Sequence, residues 1–168
     1  MKQMLWTLLL ALGMVLALCV GANAAEVSTK DALIAAAANG GEIKLTDNIK
    51  IDSTLTISKE TTLDLNGYVL RYENNNVHGS PLAVESGAHL TITDNRPTAE
   101  HKFAPNSDGL WVLDENGSKI VTGGVITGGT GYLYTDNTFV LEMGGGVHVA
   151  SGGELTMDGG SKTAAWIP

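Results

Sequence analysis

From residue 42 onward, apolar residues recur at every second position, which is the spacing expected of a β-strand with one buried face. The stretch EIKLTDNIKI (42–51) begins the pattern and TLTISKETTLDLNGYVL (54–70) continues it. Short polar segments rich in glycine, asparagine, aspartate and lysine separate the apolar positions, as turns do. The pattern therefore predicts many short strands. Their buried residues are Ile43, Leu45, Ile49, Ile51, Leu55, Ile57, Leu63, Leu65 and Val69.

One helix is predicted within the segment STKDALIAAAAN (28–39). Ser28 is the expected N-cap, and Asp31 places an acidic side chain in the first turn, where it interacts favourably with the helix dipole. The pair Gly40-Gly41 is expected to end the helix, because glycine readily adopts the conformation that follows a last helical turn.

The chain repeats a pattern of strand, Ser-Gly turn and strand. Leu82–Ile92 aligns with Val147–Met157 at an offset of 65 residues without a gap. An earlier copy aligns at an offset of 27, with Leu55–Ile57 on Leu82–Val84 and Leu63–Leu65 on Leu90–Ile92. A shorter copy at an offset of 36 places Ile120–Gly124 on Thr156–Gly160.

Repeats of this length are typical of solenoids, in which each repeat buries its apolar face against its neighbours. Two strands per repeat with little helix favour a parallel β-helix over a leucine-rich or ankyrin array. The alternative is an antiparallel sandwich of hairpins, which favours Asn-Gly turns between paired strands. One such pair, Asn66-Gly67, falls at a corner of the repeat.

Two segments interrupt the repeat. The first, 94–109, is polar and contains proline, whereas the second, 129–146, contains Tyr132, Tyr134 and Phe139. Both are predicted to be excursions from a rigid scaffold, which is where binding residues commonly lie.

The runs TTLDLNGYVL, LAVESGAHLTITD, GGVITGG and GGGVHVASGGELTMDGG resemble right-handed parallel β-helix proteins of the pectin-lyase-like group, especially secreted or surface-displayed bacterial repeat proteins. The resemblance covers most of residues 42–163 and implies an all-β solenoid over residues 42–168. It also implies a capping helix within 25–41. Many members of the group are adhesin-like surface proteins, and the enzymatic members act on acidic polysaccharides.

The N-terminal segment is predicted to be a signal peptide. Lys2 is its only charge, an apolar run follows, and Ala22-Asn23-Ala24 matches the small-x-small pattern that precedes cleavage. We therefore predict residues 1–24 to be a signal helix cut between Ala24 and Ala25, with an uncleaved membrane anchor as the alternative. The protein is expected outside the cell or at its surface. The single cysteine, Cys19, would be lost with the signal, which excludes disulfides and thiolate chemistry from the mature chain.

The net charge of −8 changes to −9 when Lys2 is lost, and no basic cluster is present. An acidic chain of this kind is not expected to bind nucleic acid, or a membrane once the signal has been removed. Only 17% of the residues are charged and 5% are aromatic, whereas 21 are glycine, a composition that suits a β-rich fold with many tight turns.

Catalysis would need carboxylates that converge on one outer face of the strands. The predicted alignment puts Asp64 in an outer row with Thr91 and Thr156, and Asp158 in the next row. One carboxylate in each row is too few for acid–base or calcium chemistry. We therefore expect no enzyme activity and name Asp64 and Asp158 only as weak catalytic candidates.

No cofactor or metal is expected. The histidines are His78, His89, His101 and His148, and none has metal-ligand spacing to another.

Trp111, Tyr132 and Tyr134 lie in or beside the interruptions and are the candidate ligand-binding residues, because exposed aromatic rings stack on sugars and anchor protein partners.

The expected function is that of an adhesin-like or structural protein which binds an extracellular glycan or a host or cell-surface protein. A polysaccharide lyase or glycoside hydrolase fragment and a carbohydrate-binding module remain alternatives. Since a further coil is expected after Gly160, we also expect the chain to be the N-terminal part of a longer protein.

Overall fold

The computed structural model describes residues 23–73, 79–107, 111–129, 131–136, 139–143 and 145–158. Side chains are described throughout these ranges except at 111, 132–136 and 139–143. The described chain is β-rich and contains one helix. The elements are β1 (Ala25–Val27), α1 (Lys30–Asn39), β2 (Gly41–Leu45), β3 (Ile49–Ile51), β4 (Leu55–Ile57), β5 (Thr61–Asp64), β6 (Val69–Tyr72), β7 (Leu82–Val84), β8 (His89–Thr93), β9 (Glu100–Pro105), β10 (Trp111–Leu113), β11 (Lys119–Thr122), β12 (Val125–Thr127), β13 (Tyr132–Asp136), β14 (Phe139–Met143), β15 (Val147–Val149) and β16 (Glu154–Met157).

Helix α1 confirms the predicted helix, with one difference at its start. Thr29, not Ser28, is the N-cap, and its Oγ1 accepts a hydrogen bond from the backbone N–H of Ala32 at 3.3 Å. The two adjacent hydroxyl residues are equivalent in a sequence pattern, and only the extended backbone of Thr29 (φ −134°) selects it. Asp31 lies in the first turn, and Gly40 ends the helix with φ 72°.

Three parallel sheets contain most of the described strands. Sheet A has the strand order β1-β2-β5-β8-β16, sheet B has β12-β6-β3, and sheet C has β15-β7-β4. The chain visits A, B and C in the same order three times, first as β2, β3 and β4, next as β5, β6 and β7, and then as β8, β12 and β15. Each passage through the three sheets is here called a circuit, and β16 begins a fourth in sheet A.

Two antiparallel insertions lie within the third circuit. The first is the three-stranded sheet β10-β9-β11, which follows β8 and precedes β12. The second is the hairpin of β13 and β14, which lies between β12 and β15. The two interruptions predicted from the sequence are therefore separate small sheets. The first is longer than predicted, since it continues through Thr122.

The core is formed by alternate strand residues that point inward from all three parallel sheets and by the inner side of α1. Each of the nine strand residues predicted to be buried is buried. The main core contains Val27, Leu33, Ala37, Ile43, Leu45, Ile49, Ile51, Leu55, Ile57, Leu63, Leu65, Leu70, Tyr72, Leu82, Val84, Ala88, Leu90, Ile92 and Ile126. A smaller cluster of Val69, Phe103, Val121 and Val125 fixes the first insertion to sheet B.

The repeat at an offset of 65 residues is confirmed by the strand register. Val147 pairs with Leu82 in sheet C, and Leu155 pairs with Leu90 in sheet A. The Ser-Gly turns are equivalent as well, since Gly87 (φ 79°) and Gly152 (φ 82°) both occupy a left-handed position that glycine adopts without strain. The two turns are adjacent, and the Gly87 N–H donates to the Gly152 carbonyl at 2.9 Å.

The offset of 27 is only half correct. Leu55 does pair with Leu82 at this offset, but Thr61, not Leu63, pairs with Leu90, which is an offset of 29. From Ile57 to Thr61 the chain advances four residues, whereas between their partners Val84 and Leu90 it advances six, so the later passage is two residues longer. A shift of two residues keeps every side chain on the same face of its strand, so apolar alternation cannot detect it.

The copy predicted at an offset of 36 is wrong. Ile120 and Val121 lie in β11, which pairs antiparallel with β9 in the first insertion and not with β16. The similarity between the two segments comes from a shared strand-then-glycine composition, which is typical of any strand followed by a turn.

Candidate functional site

Asp64, the first catalytic candidate, ends β5 and is only 7% exposed. Its Oδ1 accepts hydrogen bonds from the backbone N–H groups of Asn66 at 2.8 Å and Asn95 at 3.0 Å. Its Oδ2 accepts a hydrogen bond from the Asn95 side-chain amide at 2.8 Å. Both oxygens are therefore occupied by groups of the protein. The predicted outer row of Asp64 with Thr91 is wrong, because Asp64 pairs with Thr93, and the turn after β8 folds over its carboxylate.

Asp94, the residue before Asn95, also accepts hydrogen bonds from backbone N–H groups. Its Oδ1 accepts a hydrogen bond from the Gly67 N–H and its Oδ2 accepts one from the Gly124 N–H, both at 2.6 Å. Gly67 belongs to the second circuit, and Gly124 directly precedes β12 after the first insertion. The two carboxylates thus hold together the corner where sheet A leads to sheet B. We call Asp64, Asp94, Asn95, Gly67 and Gly124 the acidic corner.

The turn at this corner contains two consecutive residues in the left-handed region of backbone conformation. Asn66 (φ 47°) and Gly67 (φ 73°) both have positive φ, and the Tyr68 N–H donates to the Leu65 carbonyl at 2.8 Å. This is the geometry of the tight Asn-Gly turn that usually closes a hairpin. Here it links β5 to β6, which belong to different sheets. The Asn66 side chain donates to the Leu45 carbonyl at 2.9 Å, which ties the turn to the first circuit.

Asp158, the second candidate, is exposed and directly follows β16. Met157 pairs with Ile92 and the Asp158 N–H donates to the Ile92 carbonyl at 2.9 Å, so Asp158 is level with Thr93. Asp64 pairs with Thr93 as well, which puts both candidates in one row of sheet A. Two strand spacings separate them, about 9.6 Å. Because Asp64 is buried and fully bonded, the row offers one free carboxylate and not an acid–base pair.

The outer face of sheet A is polar, and its charged groups include the ion pair of Lys44 with Glu26 at 3.4 Å, which continues the row of Asp64 onto β2 and β1. Thr62, Thr91 and Thr156 form one row across three adjacent strands. His89 Nε2 and Thr156 Oγ1 are hydrogen-bonded at 2.8 Å, and Glu154 lies beside His89 in the register. Such a face can form hydrogen bonds to water or to a polar surface. It contains no nucleophile–base pair and no group of carboxylates that would activate a substrate.

Two carboxylates have lowered pKa values, and both belong to surface ion pairs. The Lys30 ammonium, 3.0 Å away, lowers the pKa of Asp52 by hydrogen bonding and by its charge. A hydrogen bond from Lys50 and the nearby charge of Arg71 lower the pKa of Glu73. Shifts in this direction keep the carboxylates ionised. They indicate structural ion pairs and not general acids, for which burial raises the pKa.

Among the residues that the structure describes, no three histidine, cysteine, aspartate or glutamate side chains are grouped so that they could hold a metal ion. His101 and His89 are both used in hydrogen bonds within the protein, His101 Nε2 to the Gly67 carbonyl at 2.8 Å. The expectation that the chain uses no metal or cofactor stays a prediction.

The aromatic candidates lie in the two insertions. Trp111 begins β10 and pairs with Pro105, and Tyr132 and Tyr134 are in β13, where they pair with Met143 and Leu141. Their side chains lie outside the described part of the chain. The two tyrosines share one hairpin, while Trp111 belongs to the other insertion, and their role in binding stays a prediction.

The predicted cleavage site lies at the beginning of the described chain. Ala25 is the first residue of β1, which pairs with β2 in parallel, and Ala24 immediately precedes it. Residues 1–22 of the predicted signal peptide lie outside the described residues.

Sequence reasoning missed the acidic corner because Asp94 and Asn95 were assigned to a polar loop. A signal was available, since Asp-Asn directly after a strand is a common way to hold a turn through side-chain bonds to backbone N–H groups. What could not be predicted is that these bonds reach Gly67 and Gly124, which are 27 and 30 residues away.

Among the residues whose structure is described, no helix has the length and hydropathy that crossing a bilayer requires. No protein-family model, curated protein or solved structure matches the chain.

Proposed function

We propose that the chain is an exported, non-catalytic parallel β-helix that displays its two insertions for binding at the cell surface. The observation that carries this proposal is the register on either side of each insertion. Strand β8 pairs with β5 before the first insertion, β12 pairs with β6 after it, and β15 pairs with β7 after the second. The parallel pairing of the sheets thus continues after each of the two insertions. A scaffold that presents insertions for binding needs this continuity.

The assignment of a parallel β-helix rests on the cyclic order of the three sheets. Consecutive circuits pair at spacings of 20 residues between β2 and β5, 21 between β3 and β6, and 27 between β4 and β7. Inward residues of all three sheets contribute to one core. Helix α1 contacts β1, β2, β3 and β4, which supports the role of a cap on the first circuit. The hand of the coil, proposed to be right, follows the hand of nearly all parallel crossovers.

The non-catalytic assignment is supported by the state of the polar groups. Asp64 is buried with both oxygens bonded, and Asp158 has no second free carboxylate in its row. The polar outer face of sheet A is filled by threonine and by paired residues. We therefore assign the partner surface to the insertions, which carry Trp111, Tyr132 and Tyr134. An extracellular glycan or a cell-surface protein is the proposed partner class.

Export is tested by expressing the full chain in a bacterial host and sequencing the N-terminus of the processed product. Ala25 is the expected first residue. A product that starts at Met1 and stays with the membrane fraction would contradict cleavage and support an anchor.

Binding is tested with the processed chain on a glycan array and on immobilised cell-surface proteins. The variants Trp111→Ala, Tyr132→Ala and Tyr134→Ala are compared with Ile34→Ala, which removes an exposed apolar side chain from α1. Binding should weaken in the insertion variants and persist in the control. Binding that survives all three insertion variants would exclude these aromatic residues as the contact surface. Release of unsaturated or reducing sugar from a polyuronate would overturn the non-catalytic assignment.

A further inference from the structure

The sequence contains three Asn-Gly pairs, Asn39-Gly40, Asn66-Gly67 and Asn116-Gly117. Asparagine loses its side-chain amide most readily before glycine, because glycine has no side chain to shield its backbone nitrogen. That nitrogen can attack the side-chain amide of the preceding asparagine and release ammonia. The three pairs are equivalent in the sequence, but the fold places each of them in a different environment.

The reaction needs a glycine nitrogen without its proton and an asparagine side chain that can turn toward it. After a solvent base removes the proton, the nitrogen bonds to the side-chain carbonyl carbon of the asparagine. The bond from that carbon to the amide nitrogen breaks, and ammonia leaves after taking a proton from water. Water then opens the cyclic imide at either carbonyl and gives aspartate or isoaspartate. A contact that holds the glycine N–H or the asparagine side chain therefore slows the reaction.

At Asn66-Gly67 the fold holds both groups. The Asn66 side-chain amide donates to the Leu45 carbonyl at 2.9 Å, and the buried Gly67 N–H donates to Asp94 Oδ1 at 2.6 Å. A carboxylate this close disfavours the negative nitrogen that the reaction requires, because the two charges repel each other. Asp94 also accepts the Gly124 N–H, so freeing Gly67 means opening the acidic corner.

At Asn39-Gly40 the last turn of α1 holds both groups. The Asn39 side-chain amide donates to the Ala35 carbonyl at 3.1 Å. The Gly40 N–H donates to the Ala36 and Ala37 carbonyls at 3.1 and 3.2 Å. Ala37 is buried in the main core, so the turn cannot unwind without disturbing that contact.

At Asn116-Gly117 the groups are held only within one turn. The pair lies between β10 and β11, and Asn116 is exposed. Its hydrogen bond to Asp114 Oδ1, at 2.8 Å, comes from the backbone N–H and not from the side-chain amide. The Gly117 N–H donates to the uncharged Asp114 carbonyl at 2.9 Å. A bond inside an exposed turn opens more readily than bonds that join sheets.

Packing requires glycine at position 117. A Cβ added to Gly117 would overlap the backbone of Phe103 in β9. The turn therefore keeps a glycine after Asn116, and with it the unshielded nitrogen that the reaction uses.

We propose that Asn116 is a site of deamidation in the folded protein and that the acidic corner preserves Asn66 from the same reaction. The product has a new carboxylate beside Asp114 and Glu115, and isoaspartate also adds a carbon to the main chain of this turn. The first insertion then exists in two chemical forms, whereas the parallel sheets keep one. This chemistry does not depend on the display function.

The reaction is tested by incubating the full chain, as the cell processes it, in mildly alkaline buffer and measuring its peptides by liquid chromatography and mass spectrometry. In urea the three pairs should react at similar rates. In the folded chain Asn116 should stay within about tenfold of its unfolded rate, whereas Asn66 and Asn39 should slow by at least about 100-fold. Asn116→Ser is the control that should remove the product from the peptide containing residues 114–118.

The protective role of the corner is tested with Asp94→Ala. This variant should accelerate deamidation of Asn66 at least about tenfold and leave Asn39 unchanged, because a hydrogen bond to a charged acceptor is lost only at Gly67. Asp158→Ala, which removes an exposed aspartate, is the matched control and should change neither rate.

Two results in the folded chain would overturn the proposal, an Asn116 that reacts as slowly as Asn39 or an Asn66 that reacts as fast as Asn116. So would an Asp94→Ala variant in which Asn66 stays slow. Equal acceleration of Asn39 and Asn66 in that variant would also contradict it, because the corner would then not be the specific protection of Asn66.

Discussion

Asp64 and Asn95 form a two-point contact, in which Asp64 Oδ1 accepts the Asn95 backbone N–H at 3.0 Å and Asp64 Oδ2 accepts the Asn95 side-chain amide at 2.8 Å. The two residues lie in consecutive circuits and meet where the chain leaves sheet A. A carboxylate that resembles an exposed catalytic residue in the sequence thus joins two layers of the fold. Hydrogen bonds of this kind, with an ionised acceptor, are stronger than neutral ones.

Removing this acceptor should destabilise the protein. Asp64→Ala leaves the Asn66 and Asn95 N–H groups without their acceptor at a buried corner, and we expect a loss of about 1–3 kcal/mol in the free energy of unfolding. The measurement is urea denaturation followed by circular dichroism. Asp158→Ala is the control, because this exposed aspartate should change stability by less than about 0.5 kcal/mol. Equal effects of the two variants would contradict the structural role of Asp64.

The first insertion should depend on Asp94. Asp94→Ala removes the acceptor shared by the Gly67 and Gly124 N–H groups, which both lie 2.6 Å from its carboxylate. We expect faster hydrogen exchange at Gly67 and Gly124 and at the ends of β9 and β11, with β2 and β5 much less affected. Exchange measured by NMR resolves these amides. Uniform loss of protection across all the sheets would show instead that Asp94 supports the whole fold.

The helix N-cap can be assigned by paired substitutions. Thr29→Ala removes the oxygen that accepts the Ala32 N–H and should cost about 1 kcal/mol of stability. Ser28→Ala should cost far less, although the two hydroxyl residues are adjacent. Thermal unfolding of both variants decides between them, and a larger effect at Ser28 would reverse the assignment.

Backbone strain can be separated from crowding at two glycines. An added Cβ would meet nothing within 4 Å at either Gly87 or Gly146, but only Gly87 has a positive φ, 79°. Gly87→Ala should therefore destabilise the protein by about 1–2 kcal/mol, the cost of a left-handed backbone for an alanine. Gly146→Ala should be neutral or slightly stabilising. Chemical denaturation provides both values, and similar losses would refute the strain argument.

The ion pair between Lys30 and Asp52 should give a pH-dependent contribution to stability. Because Lys30 lowers the pKa of Asp52 in the folded protein, the pair stabilises the fold above the unfolded-state pKa. That contribution is lost as the pH falls through the folded-state pKa. A carboxyl NMR titration should find the pKa of Asp52 below its ordinary value, and Lys30→Gln should raise it. Lys44→Gln, which breaks the separate pair with Glu26, should leave the pKa of Asp52 unchanged.

The strand pattern, the helix and the longest repeat could be predicted because they depend on local rules. Alternation identified buried residues such as Ile43 and Leu63, and Ser-Gly identified the turns at Gly87 and Gly152. The pairing of Thr61 with Leu90 could not be predicted, because a register shifted by two residues satisfies the same alternation. That shift moved Asp64 from the row of Thr91 to the row of Thr93.

The sequence by itself determined most of the residues that face inward, since apolar side chains must leave water and a strand alternates its faces. Val69 is an exception, because Leu70 of the same strand faces the main core and Val69 packs against the first insertion. It also determined where glycine and asparagine bend the chain. Only the tertiary structure decided the partners of the polar residues. The environment of Asp64 depends on Asn95, and that of Asp94 depends on Gly67 and Gly124. Such contacts join segments distant in sequence, and no local pattern records which segments meet.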